Sequence, residues 1–82
     1  MRTYRLDRRE EAVAEIQRYL RAVSYKHTAL PHIGIDGIYG QETQEAVRAF
    51  QRLFSLLVTG EVDDAAFALL YEEYISVPRG NE

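Results

Sequence analysis

Three segments of the chain carry apolar residues at the spacing of an α-helix, and this pattern constrains the fold more than any other feature of the sequence. The segments are residues 10–23, 41–56 and 63–75, and in each one apolar residues return every three or four positions. That spacing places them on one face of a helix. No segment alternates apolar and polar residues as a half-buried strand does. We therefore predict an all-α fold, a small three-helix bundle with long connecting loops and no sheet beyond short extended links.

The inner faces of the predicted helices supply one core. They consist of Val13, Ile16, Leu20 and Val23; of Ala46, Val47, Phe50, Leu53 and Phe54, with Thr43 one turn earlier; and of Ala66, Phe67, Leu70, Tyr71 and Tyr74. A chain of 82 residues is the size of a single domain. We assign residues 1–82 to that domain, with a core over about 10–75 and a flexible tail at 77–82.

Polar residues mark where two of the helices begin. Asp7 is predicted to cap the first helix, and Glu10 three residues later completes a capping-box pattern. Asp63 and Asp64 stand at the start of the third helix, where negative charge is favourable. By contrast, residues 24–35 have no helical period, so we predict a loop there, and loops of this length are often functional.

Two segments of the chain resemble each other at a shift of 23 residues. IDGIYGQETQEAV, which begins at Ile35, aligns with VTGEVDDAAFALL, which begins at Val58, and Gly37 aligns with Gly60. Each segment has a β-branched residue, a glycine turn, a short link and an amphipathic helix. One such unit cannot bury its apolar face alone. We therefore predict two pseudo-repeated turn-helix units stacked against the first helix.

The first glycine turn is predicted to be mainly structural. Gly37 and Gly40 allow backbone conformations with positive φ, and the carboxylate of Asp36 is suited to accept backbone N–H groups within the turn. Gln17 and Gln51 are expected to tie the helices to the turns through side-chain-to-backbone hydrogen bonds.

The charge distribution argues against a nucleic-acid partner. Net charge is −3, and residues 53–78 contain five carboxylates and no lysine or arginine.

No apolar run approaches the roughly 20 residues that span a bilayer, so we expect no membrane partner. The first residues, MRTYRLDRREE, have no apolar segment, so no signal peptide is expected in this chain. If the natural protein is exported, the chain is a mature fragment or an excised domain.

No set of residues in the sequence points to catalysis. His27, His32 and Asp36 do not have the spacing of a known metal site. Ser24, His27 and Asp36 contain the residue types of a hydrolase triad, but any chain of this size offers such sets by chance. The absence of cysteine removes disulfides and thiolate ligands. We expect a protein that is not an enzyme, with no catalytic residue, metal or cofactor.

Three motifs together resemble the small three-helix peptidoglycan-binding domain of bacterial cell-wall enzymes and spore-lytic proteins. They are AVAEIQRYL, IDGIYGQETQEAVRAFQRLF and VTGEVDDAAFALL. The positions that match the family pattern are Ile16 and Gln17; Asp36, Gly37, Tyr39, Gly40, Thr43, Ala46, Val47, Phe50 and Gln51; and Gly60, Val62, Asp63, Ala66, Phe67 and Leu70. The family often has glycine at the position of Ser55 and Thr-Trp at Ala66-Phe67, and its connection after the first helix is often shorter.

The resemblance implies a non-catalytic module that binds peptidoglycan, through its glycan or its stem peptide. Such a module targets an attached wall hydrolase or spore protein to its substrate, in the bacterial cell wall or outside the cell. The alternative is a protein–protein docking or scaffold domain that reuses the fold, with the acidic third helix facing a basic partner.

Five residues are candidates for ligand contact: Tyr25, His32, Asp36, Tyr39 and Arg48. A tyrosine ring can stack on a sugar, and its phenol can bond the sugar hydroxyls. Arg48 is predicted on the outer face of the second helix, where it is suited to a stem-peptide carboxylate. For Tyr39 the structural interpretation has slightly more weight: its ring covers the core and its hydroxyl stays in water.

Overall fold

The computed structural model describes residues 3–4 and 10–78. Within that part of the chain the helices are α1, Glu10–Ser24; α2, Gln41–Leu53; and α3, Asp64–Ile75. Helix α1 packs against both α2 and α3 and is the central element. The predicted all-α bundle is confirmed. The Asp7 cap, the side chain of Glu10 and residues 79–82 of the predicted tail lie outside the described residues.

Two short strands accompany the helices. β1, Thr3–Tyr4, pairs antiparallel with β2, Val62–Asp63. The predicted extended link before α3 is therefore one strand of a minimal sheet. It continues directly into α3, where Asp63 is the N-cap and its Oδ1 accepts the Ala66 N–H at 2.9 Å. The expected role of Asp63 at the start of this helix is confirmed.

The core forms from the inner faces of the helices and from the long connection between α1 and α2. Its buried apolar residues are Val13, Ile16, Tyr19, Leu20, Val23, Leu30, Ile33, Tyr39, Ala46, Val47, Phe50, Val62, Ala66 and Leu70. Leu30, Ile33 and Tyr39 come from the connection, so this segment is fixed to the core although it has no regular structure. The prediction that Leu53 and Tyr71 lie on the inner faces of their helices is wrong, because Leu53 is 38% exposed and Tyr71 is 44% exposed.

Helix α2 ends at Leu53, three residues before the predicted end at Leu56. Ser55 adopts a left-handed conformation with φ 62°. Its N–H donates to Arg52 O at 3.2 Å, and the Leu56 N–H donates to Gln51 O at 2.7 Å. This pair of bonds is the Schellman motif, which ends a helix and reverses the chain. The reversal places residues 54–56, which were predicted in the helix, beyond its end at Leu53.

A buried glutamine holds each glycine turn. Gln17 Oε1 accepts the N–H groups of Asp36 at 3.0 Å and Gly37 at 2.8 Å, and its Nε2 lies 3.0 Å from Ile38 O. The same Nε2 lies 2.8 Å from the hydroxyl of buried Thr43. These bonds confirm that Gln17 ties α1 to the first turn.

The second turn has the same pattern of hydrogen bonds. Gln51 Oε1 accepts from Thr59 N at 2.8 Å and Gly60 N at 3.0 Å, and its Nε2 donates to Glu61 O at 3.0 Å. Gly37 and Gly60 have φ of 77° and 82°. The expectation of positive φ is confirmed for Gly37 and wrong for Gly40, which has φ −101° and is the N-cap of α2.

Candidate functional site

A stacked pair of aromatic rings stands on the surface where α1 ends. The ring centroids of Tyr25 and His32 are 4.5 Å apart with an interplanar angle of 25°, and Tyr25 is 62% exposed. Behind the pair, the Oγ of buried Ser24 donates to Arg21 O and is within hydrogen-bond distance of His32 Nδ1. The stack is therefore supported from below, with one face of the tyrosine available to a ligand.

The loop that carries this pair is also tied to α3. His27 Nε2 lies 3.2 Å from Glu73 Oε1, and Lys26 Nζ donates to Ser76 Oγ at 2.9 Å. The His27 ring meets Phe54 edge-on at a centroid distance of 5.4 Å. The candidate site thus sits on a connection held at several points.

A groove of about 290 Å³ runs beside Tyr25. Its lining consists of Arg18, Arg21, Ala22, Tyr25, Ile35 and Tyr74. Two guanidinium groups and two phenols surround a small apolar floor. This combination suits a ligand that has both an anionic group and an apolar or ring-shaped body.

Tyr39 is not on the surface. It is 5% exposed, and its hydroxyl donates to Gly60 O at 2.6 Å. Burial, with the Glu61 carboxylate as a second cause, raises the pKa of this phenol above its ordinary value. The ring is in the core, as the structural interpretation had it, but the expectation of a hydroxyl in water is wrong, because the bond to Gly60 joins the two turns.

Asp36 is exposed but engaged within its own turn. Its Oδ1 accepts the Ile38 N–H at 3.0 Å and a Gln17 amide N–H at 2.9 Å. The Ile38 N–H first, and then the Gln17 amide, hold the pKa of this carboxyl below its usual value. The predicted turn-forming role is confirmed.

Arg48 is packed over the second turn. Its NH1 lies 3.3 Å from Glu45 Oε2, and its guanidinium lies 3.2–3.3 Å from the position that a β-carbon on Gly60 would occupy. This side chain covers the turn and has a carboxylate partner already. The structure therefore brings together Tyr25 and His32, and places Asp36, Tyr39 and Arg48 in the framework of the turns.

Sequence reasoning did not select Arg18 and Arg21 as candidates for ligand contact. A signal for them is present: Arg18, Arg21, Ala22 and Tyr25 follow the spacing i, i+3, i+4 and i+7, which marks one helix face. Tyr25 lies one residue beyond the end of α1 at Ser24 and was assigned to the loop, so the face was not recognised.

Among the described residues, no group of three histidine, aspartate or glutamate side chains is placed to hold a metal ion. Within the same residues, none of the helices combines the length and the apolar character needed to cross a bilayer.

A family model for the peptidoglycan binding domain matches residues 9–70, from the start of α1 into α3. The chain belongs to this family, as the motifs of its helices and turns indicated. A search of curated proteins and a search of solved structures each found no significant match.

Proposed function

We propose that this chain is a non-catalytic module that binds bacterial peptidoglycan and holds an attached catalytic domain or spore protein at the cell wall. The observation that carries the proposal, beside the family, is the exposed Tyr25–His32 stack at the edge of the groove. An aromatic face backed by a second ring is a rigid platform for a sugar or for the aliphatic part of a peptide. Tyr25 and His32 are the proposed contact residues. Asp36, Tyr39 and Arg48 act through the turns that they stabilise.

Binding at this site is expected to be weak. The groove is shallow and offers few anchoring groups, so little interaction energy exceeds the cost of association. We expect a dissociation constant of roughly 10 μM to 1 mM. Weak binding is suited to a targeting module, because a tethered catalytic domain gains a high local concentration without being immobilised on the insoluble wall.

Sedimentation with purified peptidoglycan tests this proposal. The wild-type chain is expected in the pellet, and Tyr25→Ala is expected to move most of it to the supernatant with little change in melting temperature. Tyr71→Ala is the matched control, because Tyr71 is also a partly exposed tyrosine but does not line the groove. Equal binding by all three chains would place the site elsewhere. A folded wild-type chain that stays in the supernatant over several wall preparations would overturn the proposal.

A second candidate function is docking to another protein, and one surface favours it. Leu57 is 84% exposed and lies on a cavity of about 170 Å³ beside the second turn, with Leu53 and Val58 exposed nearby in the sequence. Since residues 53–78 have no basic side chain, the matching partner is a basic protein surface with an apolar anchor. Leu57→Ser would disrupt such docking and leave wall sedimentation unchanged.

A further inference from the structure

We propose that the groove selects the acidic peptide stem of peptidoglycan, with the Arg18 guanidinium as the ligand for a free stem carboxylate. This inference rests on the proposed wall-binding function and adds the chemical class that the groove recognises. It moves the carboxylate contact from Arg48, which already pairs with Glu45 and covers Gly60, to the outer face of α1.

The charge of Arg18 is available to a ligand. This residue is exposed and lines the groove, and within residues 3–4 and 10–78 it has no hydrogen bond or ion pair. A guanidinium presents five N–H donors in a planar fork, which matches the two oxygens of a carboxylate.

Arg21 is fixed in position beside it. Its NH1 donates to Ile33 O at 2.8 Å, so the side chain is held between α1 and the loop while other guanidinium N–H groups are left for a ligand. Among the groove-lining residues there is no carboxylate to neutralise the two arginines. The groove therefore presents two positive charges, although the whole chain has a net charge of −3.

The rest of the lining fits the body of a short peptide. Ala22 and Ile35 contribute apolar surface to the groove, and Tyr25 and Tyr74 also line it. The ring of Tyr74 is stacked on buried Tyr19 at a centroid distance of 4.3 Å, which holds this wall of the groove in place. A neutral glycan alone would leave both guanidinium groups without an anionic partner, whereas a stem peptide supplies carboxylates next to small aliphatic side chains.

Phosphate is the other anion that a wall can offer, through phosphate-containing wall polymers. The net charge of −3 of the whole chain disfavours an extended polyanion. The stem carboxylate is therefore the better match, and walls stripped of phosphate polymers by acid distinguish the two sources. We expect the chain to sediment with stripped walls as well as with untreated walls. Loss of sedimentation on stripping would overturn the carboxylate assignment.

The direct test is an NMR titration of the 82-residue chain with three soluble probes. They are a synthetic stem tetrapeptide with free carboxylates, the same peptide with its carboxylates amidated, and an N-acetylglucosamine tetramer. We expect the acid peptide to shift amide signals around the groove and to bind at least about fivefold more tightly than the amide, because a charge-assisted bidentate contact is lost.

Arg18→Gln tests the assigned residue, with Arg52→Gln as a control that removes one positive charge from an exposed position of α2. The first variant is expected to weaken acid-peptide binding about tenfold and to abolish the preference over the amide. Arg18→Lys should retain part of the affinity for the acid peptide. Arg52→Gln should change neither that affinity nor the preference over the amide. If the wild type sediments with walls but binds both peptides equally, the carboxylate inference fails and wall binding stands. If the wild type neither sediments nor responds to any probe, the proposed function itself fails.

Discussion

Ser55 occupies a backbone conformation that a β-carbon disfavours. Its φ of 62° closes the Schellman motif at the end of α2, and left-handed conformations cost an L-residue about 1–2 kcal/mol. The strain is local, because Ser55 is exposed and the two hydrogen bonds of the motif involve only backbone atoms.

We predict that Ser55→Gly stabilises the chain by about 0.5–1 kcal/mol, which is the relief of strain less the extra entropy that glycine gives the unfolded state. Urea denaturation measures the change. Ser55→Ala is the control, because it removes the hydroxyl but keeps the β-carbon, and it should give no gain. An equal gain in both variants would show that the serine hydroxyl and not the backbone is responsible.

Asp36 is expected to make the stability depend on pH. Its pKa in the folded chain lies below the ordinary value of 3.8, so folding favours the ionised form. That contribution is complete at pH values above the unfolded-state pKa and is lost as pH falls through the folded-state pKa.

Asp36→Asn keeps an oxygen for the Ile38 N–H but cannot ionise, so it isolates this effect. We predict that the wild type is more stable than the variant at pH 6 and that the difference shrinks by pH 2.5. Urea melts of both chains at the two pH values measure it. A difference that is the same at both values would show that ionisation of Asp36 contributes nothing to folding.

At the scale of elements, the two glycine turns depend on one buried glutamine each. Gln17 and Gln51 each accept two backbone N–H groups of their turn. Neither turn is part of a helix, and strand β2 begins only after the second turn. The two glutamine side chains thus supply the hydrogen bonds that neighbouring backbone supplies to the N–H groups of a helix or sheet.

Replacing either glutamine by leucine is predicted to destabilise the chain by about 2–6 kcal/mol, because two turn N–H groups lose their acceptor at about 1–3 kcal/mol each. Gln41→Leu, at an exposed position of α2, should stay within about 0.5 kcal/mol of wild type. Thermal or urea melts compare the three. A cost below about 1 kcal/mol for Gln17→Leu would mean that water replaces the side chain in the first turn.

The helices and their buried faces were predictable from the sequence because each inner face repeats with the period of one helix. The groove was not, because Ile35 and Tyr74 reach it from other elements, and the path of residues 25–40 has no period to read. Tyr39 shows the limit at a single residue: its aromatic ring fitted both a surface and a core position. Only the location of Gly60 O, 2.6 Å from its hydroxyl, decides between them.

At the scale of the whole molecule, one aromatic residue lies at the centre of a small core. Phe50 is fully buried on α2, and its ring lies 4.9 Å from that of Phe54. We predict that Phe50→Ala costs about 3–5 kcal/mol, which is a large part of the stability of a domain of this size. Leu57→Ala, at an exposed leucine, should cost less than about 0.5 kcal/mol. Urea melts of the wild type and both variants measure the change in the free energy of unfolding. A cost below about 1 kcal/mol for Phe50→Ala would show that the core tolerates the cavity.

The anchoring of the long connection determines how the chain meets a protease. Connections of this length are usually cut first, because they fit an extended active-site cleft without unfolding the domain. Here Leu30 and Ile33 are buried, and the N–H groups of Lys26 and His27 both donate to Val23 O. Trypsin should therefore cut after Lys26 only when the whole domain opens. The cleavage rate there should follow global stability, rising in Phe50→Ala and falling in Ser55→Gly, while a rate that is the same in both variants would indicate local opening of the loop.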